Sequence, residues 1–324
     1  MVQSRPGLVT SAARSSRGEG SGVAVEWIFE GPLVRISRWR CPPERDRQTA
    51  ERSHPTPVIV FLHSGNFRVH SSQPIGLLDC TRVAFFNSGV PFRTTHPHGG
   101  GDRGSELAVS PDVLAEILRR YDAAAGERPE SPFSTGWGPC APRAFLWQRA
   151  LVRRILAEHR IDGLEIEELA LTLADRLVRA AAEESGRSRT PPLRLGAREH
   201  EEVDSLRGHL SSHPGRRHRL DALARHLEST PFRLCRSFRA VTGMTIHRYL
   251  TRVRLQQAIG LLAEGFPDLS DLASELGFSS HSHFTAVFRR RLGETPEAVR
   301  RAARAGRLAE LGRRLSSIAA SARN

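Results

Sequence analysis

The run Gly277-Phe278-Ser279-Ser280-His281-Ser282-His283-Phe284-Thr285-Ala286-Val287-Phe288 constrains this chain more than any other stretch. Before it, Leu272, Ala273 and Leu276 have the spacing of one buried stripe on a short helix. Gly277 follows where the chain must turn with a positive φ, which a residue without Cβ adopts without strain. Ser280 is suited to cap the next helix, because its hydroxyl can accept an otherwise unpaired backbone N–H. That helix would bury Phe284, Val287 and Phe288, end at Gly293, and leave His281, Ser282, Thr285 and Arg289 on its outer side. The spacing predicts a helix, a tight turn and a second helix with a polar outer face.

The layout occurs a second time upstream. Leu220, Leu223, Ala224 and Leu227 repeat the spacing of Leu269, Leu272, Ala273 and Leu276. Thr230 stands where Ser280 does, and Pro231 follows where a missing N–H costs least. Leu234, Phe238 and Gly243 answer to Phe284, Phe288 and Gly293. The first turn is one residue shorter, and Glu228 occupies the place where glycine is expected. Between the copies, Thr245 to Glu264 reads as one long helix with Leu250, Val253, Leu261 and Leu262 inward.

Two such units on a connecting helix resemble the DNA-binding domain of the AraC/XylS family of bacterial transcription regulators, over roughly residues 200 to 302, with Gly293-Glu294-Thr295-Pro296 close to the family's C-terminal pattern. The resemblance implies double-stranded DNA and RNA polymerase as partners, and activation rather than repression. The second helix of each unit would enter the major groove, where base edges carry a readable donor and acceptor code. In the first unit the outer face carries Phe232, Cys235, Arg236 and Arg239, with Arg236 suited to guanine and Phe232 to a thymine methyl. In the second it carries His281, Ser282 and Thr285, while His283 is expected to brace the turn. Family members often have a longer residue where Ala286 stands, so this helix is expected to make fewer base contacts. Arg289, Arg290 and Arg291, with Arg252 and Arg254 on the connecting helix, suit phosphate contacts, which fix register rather than read sequence.

Charge supports this division. Residues 198–324 hold 22 arginines against 13 acidic residues, net +9, and the first 197 residues only +4 of the total +13. A phosphate-binding surface needs such an excess. Cys41, Cys80, Cys140 and Cys235 are scattered, which argues against a zinc finger or a disulfide framework. The longest strongly apolar run, Val58 to Leu62, is far too short to span a bilayer. Residues 1–22 are rich in Ser, Gly and Arg and read as a disordered leader; a cytoplasmic protein is expected.

The fold class expected is α+β. Residues 23–110 read as β structure: Val23 to Phe29, Leu33 to Trp39, Val58 to His63, Phe67 to His70, Arg82 to Phe86, Phe92 to Thr95 and Ser105 to Val109, with Ser64-Gly65-Asn66 as a hairpin signal. Short strands at this spacing favour a sandwich or small barrel. The stretch Phe85-Phe86-Asn87-Ser88-Gly89-Val90-Pro91-Phe92, running on to His96-Pro97-His98-Gly99-Gly100-Gly101-Asp102, resembles the cupin-like sensor domains of AraC-type regulators. A barrel of this kind can enclose one small-molecule effector. Trp27, Phe61, Phe85 and Phe92 are the candidates for its lining.

Residues 111–185 switch to helical period, with a hairpin of Arg143 to His159 and Glu165 to Glu184 around Ile161-Asp162-Gly163. The apolar face of Leu169, Leu173 and Leu177 must pack on the barrel, on its hairpin partner or on a second subunit; the resemblance implies a dimerisation role and hence a homodimer. Residues 186–197 read as a linker, 198–305 as the DNA-binding domain, and 306–324 as a tail with a helical stripe of Leu308, Leu311, Leu315 and Ile318. The reading is a ligand-responsive regulator without catalysis. Its sharpest rival is a metal-binding cupin enzyme fused to a DNA-binding domain, since His96, His98 and Asp102 offer two imidazoles and a carboxylate. The glycines between them argue against fixed ligand directions. A methyl-acceptor role for Cys235 lacks a partner base.

Overall fold

A computed structural model describes residues 15–17, 23–42, 48–99, 101–128, 131–157, 162–187 and 195–308, with 310, 311 and 314. Its strands are β1 (Ser15–Arg17), β2 (Ala24–Glu30), β3 (Val34–Cys41), β4 (Val58–Ser64), β5 (Phe67–Ser71), β6 (Gly76–Leu78), β7 (Arg82–Phe86), β8 (Phe92–Thr95), β9 (Asp102–Val109) and β10 (Trp137–Pro139). The larger sheet runs β1-β2-β3-β9-β4-β7-β10 and the smaller β6-β5-β8, all antiparallel.

Side-chain alternation along the strands sorts residues between two cores. Val58, Val60, Leu62, Ala84 and Phe86 face the smaller sheet and pack with Phe67, Val69, Leu78 and Phe92. Ile59, Phe61, Val83 and Phe85 face the other way, into the core shared with the helices. The sheet is covered on both sides, so its central strands read as unbroken apolar runs.

Three expectations fail here for physical reasons. Ser15–Arg17, placed in a disordered leader, pairs with Ala24–Glu26 as an edge strand; the rest of that leader lies outside the described residues. Ser64-Gly65-Asn66 joins no hairpin. β4 pairs with β7 and β9, whereas β5 belongs to the other sheet, so the chain changes sheets at this turn. Gly65, at φ 87°, allows the crossing. And β9 starts at Asp102, so the glycine-rich stretch ends on a buried, fixed residue.

The helices are α1 (Pro111–Arg119), α2 (Pro142–Ala157), α3 (Gly163–Arg187), α4 (Ala197–Ser212), α5 (Leu220–His226), α6 (Pro231–Thr242), α7 (Ile246–Ala263), α8 (Leu269–Glu275), α9 (His281–Leu292) and α10 (Pro296–Arg304). Leu169, Leu173 and Leu177 of α3 are buried against α1, α2 and the sheet, so this stripe is used up within the chain and offers no surface to a second subunit. Leu308 and Leu311 are buried as their spacing predicts, while Leu315 and Ile318 lie outside the described residues. No described helix is long and apolar enough to cross a membrane.

The N-terminal sheets and the C-terminal helices meet through a buried polar network. The Arg207 guanidinium of α4 donates to Asp79 Oδ2 at 2.5 Å and to the Leu77 carbonyl at 3.2 Å, and Tyr249 of α7 donates its hydroxyl to the same Asp79 oxygen at 2.7 Å. Burial alone would push the Asp79 carboxyl up; Arg207, the Thr81 hydroxyl, Arg82 and Tyr249 together hold it below the ordinary carboxylate value. Gln256 bridges the Cys80 and Cys140 carbonyls at 2.7 and 2.9 Å, and Asn66 donates to Ser212 of α4 at 2.8 Å.

Candidate nucleic-acid interface and sensor cavity

The duplicated pattern forms two matching helical pairs, α5–α6 and α8–α9. Thr230 Oγ1 accepts the Arg233 N–H, and Ser280 Oγ accepts the His283 N–H. Gly243 and Gly293 end the second helices in the left-handed conformation at φ 67° and 86°. The turns match too: Ser229 N–H donates to the Ala224 carbonyl and Phe278 N–H to the Ala273 carbonyl, both at 2.9 Å. At the crux of the turn Gly277 has φ 73°, and Glu228 has φ 51°, the one positive φ away from glycine among the described residues. Beneath the second helices, Leu234, Phe238, Phe284 and Phe288 are fully buried and Val287 nearly so, while Leu220, expected inward, is exposed.

The outer faces are largely as the sequence divides them. Phe232, Cys235, Arg236 and Arg239 on α6 are exposed, as are His281, Ser282, Arg289, Arg290 and Arg291 on α9. Phe232 is 78% exposed, the barest large apolar side chain among the described residues. His283 braces the turn, pairing its Nδ1 with Ser279 Oγ at 2.9 Å and setting its ring edge-on to Phe278. Thr285 is only half-buried, but its hydroxyl is closed off from solvent without a partner among the described residues, so it is turned toward the core rather than outward.

Arg252 and Arg254 depart from the phosphate-binding role expected of them. Arg252 points into the N-terminal part of the chain and donates to the Thr81 carbonyl at 3.3 Å; burial lowers its guanidinium from its ordinary value. Arg254 donates to the Pro214, Gly277 and Arg216 carbonyls at 2.8, 2.7 and 3.3 Å, clamping the second turn. Helical spacing places both on α7 but does not say which of its faces is covered.

Between the two sheets lies a cavity of about 380 Å³. Trp27 and Phe92 line it as expected. Phe61 and Phe85 do not: they lie on the opposite face of the larger sheet, where Phe85 stacks on Phe133 at 4.9 Å. Sequence reading missed the residues that replace them: Trp39, Phe67 and Phe86, with Arg52, His54 and Glu106 as polar lining. His54 stacks on Phe92 at 5.2 Å and Arg52 lies 5.0 Å over the same ring; burial pushes both cations below their ordinary values. A larger open cleft of about 670 Å³ near α2 is rich in arginine, but Arg149 is engaged with His63 and Glu264, Arg153 with the Ala263 carbonyl, and Arg38 with Glu26.

The suspected His96–His98–Asp102 triad is split. His96 Nε2 lies 3.1 Å from Asp102 inside the sandwich. His98 instead packs against Gly208 of α4. There it joins a histidine group in which His209 has the rings of His213, His218 and His226 at 5.2, 5.4 and 5.9 Å. Burial, then these neighbouring imidazoles, pushes His209 down to about 4. Cys41 of β3 takes the place left beside His96 and Asp102.

Comparison with known proteins adds sequence to this geometry. Residues 223–302 match the family model described as a helix-turn-helix domain. Over 80 residues the chain is 36% identical to the HTH-type transcriptional activator RhaS of Escherichia coli strains SE11 and K12 / DH10B, covering 25% of this chain and 29% of the relatives' length. Among solved structures, ToxT from Vibrio cholerae aligns over 83% of this chain and 98% of its own, at 12% identity and a TM-score of 0.32. The AraC-like transcriptional activator CuxR aligns over 76% and 85%, at 16% identity and a TM-score of 0.37. The sequence match rests on the C-terminal helices alone. On those helices the duplicated caps, turns and buried faces coincide with the matched residues, and the C-terminal part of this chain is a double helix-turn-helix domain.

Proposed function

We propose that this chain is a DNA-binding transcription regulator whose N-terminal sandwich senses a small molecule. The observation that carries the reading is the pair of uncovered faces on α6 and α9. Phe232 stands bare one turn before Arg236, and neither Arg236 nor Arg239 has a side-chain partner among the described residues. A groove floor with thymine methyls and guanine edges takes both a bare phenylalanine and two unpaired arginines. On α9, His281 and Ser282 are the base-facing residues and Arg289, Arg290 and Arg291 the phosphate-facing ones. With both helices in successive major grooves, their centres would lie about 34 Å apart, held by α7.

The cavity between the sheets is of the size that takes one small ligand, with an aromatic wall and few polar groups to orient it. Occupation of that cavity changes DNA binding only if the ligand has different affinity for two arrangements of the chain. The Asp79–Arg207–Tyr249 network is the physical link through which the two parts feel each other. RNA polymerase is the partner through which activation would act.

The test is to map the genomic fragments bound by the full chain and to measure its affinity for them against bulk competitor at moderate salt. Preference for a defined set of promoters is expected. Equal affinity for all fragments would remove the base-reading role, and with it the reading as a specific regulator.

A further inference from the structure

We infer that the sandwich holds a divalent transition-metal ion, zinc by its donor set, bound by Cys41 Sγ, His96 Nε2 and the Asp102 carboxylate. Three strands bring these donors together: Cys41 ends β3, Asp102 opens β9 directly opposite it in register, and His96 leaves the end of β8. Their ligand atoms all lie within 4.8 Å of one another, and the three residues are buried to 7%, 2% and 1% exposure. Neighbours fix them. The Phe67 ring lies 6.2 Å from that of His96, and Gly65 comes so close that a Cβ there would meet the Asp102 Cβ at 2.8 Å.

The chemistry favours an ion over a merely structural trio. A thiolate, an imidazole and a carboxylate are the donor types zinc takes, and three protein ligands leave a fourth position open. Charge balances as well. Thiolate and carboxylate neutralise a divalent cation, while Arg52 and Glu106 on the same cavity wall offset one another. All three ligands line the 380 Å³ cavity, so the fourth position takes water or a Lewis-basic group of the sensed molecule. Metal uptake displaces the proton of the His96–Asp102 hydrogen bond and the thiol proton of Cys41, both released to solvent. The metal claim stands on the sandwich alone, whatever the C-terminal helices bind; only the ligation of an effector rests on the sensor reading.

The experiment uses the full chain, purified without an affinity tag, stripped with a chelator and titrated with cobalt(II), then zinc. Stoichiometric cobalt should give a thiolate-to-metal charge-transfer absorption with the visible bands of a four-coordinate site, and zinc should abolish both. Cys41→Ser should remove the charge-transfer band, and Asp102→Asn should weaken cobalt binding at least tenfold. His209→Ala, in the separate histidine group, should leave the spectrum unchanged. Absence of the charge-transfer band in the wild-type chain overturns the site, as does a band that survives Cys41→Ser or vanishes with His209→Ala. Should Cys41→Ser not fold, zinc-edge X-ray absorption of the wild-type chain decides. One sulfur at about 2.3 Å is expected, and a shell of nitrogen and oxygen alone overturns the proposal.

Discussion

The two helix-turn-helix units share a skeleton and differ in what holds them. Both have a hydroxyl cap, a left-handed glycine stop and a phenylalanine core under the outer helix. The first is tied to the N-terminal sandwich. Arg233 of α6 pairs with Glu202 of α4 at 2.9 Å, Phe238 meets Tyr249 edge-on at 5.3 Å, and Tyr249 and Arg207 end on the buried Asp79. The second is held by the C-terminal helices themselves, through the Arg254 clamp and the packing of α9 and α10. A change in the sandwich therefore reaches the first unit through direct bonds, and the second through α7 and the packing of α2 on α9.

The strongest way to break this comparison is Arg207→Ala. It removes the one guanidinium that forms an ion pair with the buried Asp79 among the described residues, with Arg82 left as the remaining nearby cation, and loss of one partner of a buried pair costs about 3–5 kcal/mol. Urea unfolding of the full chain should show that loss. A change below about 1 kcal/mol would mean that the network does not join the two parts, because surface pairs alone reach that size.

The second unit has its own weak point. Gly277 lies at φ 73°, and a Cβ there would stand 2.6 Å from the Gly215 carbonyl oxygen and 2.7 Å from the Arg254 guanidinium. Gly277→Ala should therefore cost about 2 kcal/mol or more, from backbone strain and a displaced clamp. Thermal unfolding measures it. A neutral outcome would show that the turn relaxes and that Arg254 clamps nothing.

On the reading faces the contrast is between bases and phosphates. Arg236→Ala should weaken binding to a mapped promoter by about 1–3 kcal/mol and relax preference at one base position. Arg290→Ala should weaken all sequences alike and reduce the salt slope by about one unit. Titrations on specific and random DNA at several salt concentrations separate the two, and the same pattern from both variants would erase the distinction.

How much of this was legible depends on the range of the forces involved. Caps, turns and helical stripes are local, so Thr230, Ser280, Gly243 and Gly293 announce both units, and the oddity of Glu228 shows in the sequence as well. In the sandwich the strands are legible but their faces are not. Where both sides of a sheet are buried, apolar alternation no longer distinguishes Phe61 and Phe85 from Trp27 and Phe92. Cys41 meets Asp102 only through the register of β3 on β9, and Asp79 meets Arg207 and Tyr249 only through the docking of distant segments. Nothing short of tertiary structure joins such pairs. The same limit misplaced Arg252 and Arg254, whose helix was foreseen but whose covered face was not.

The smallest predicted effect sharpens the comparison most finely. Glu228 holds the first turn at φ 51°, where a side chain costs about 1–2 kcal/mol that glycine does not incur. Its ion pair with Arg198 is long, at 3.7 Å, and both side chains are largely exposed, so losing it changes little. Glycine's extra freedom in the unfolded chain returns about 0.4–1 kcal/mol of the gain. Glu228→Gly should accordingly stabilise the chain by about 0.5–1 kcal/mol, opposite in sign to Gly277→Ala at the matching place. Denaturation midpoints of the two variants test the pairing directly. If Glu228→Gly destabilises, the Glu228 side chain supports the first unit in a way that Gly277 has no means to match, and the two turns are not equivalent.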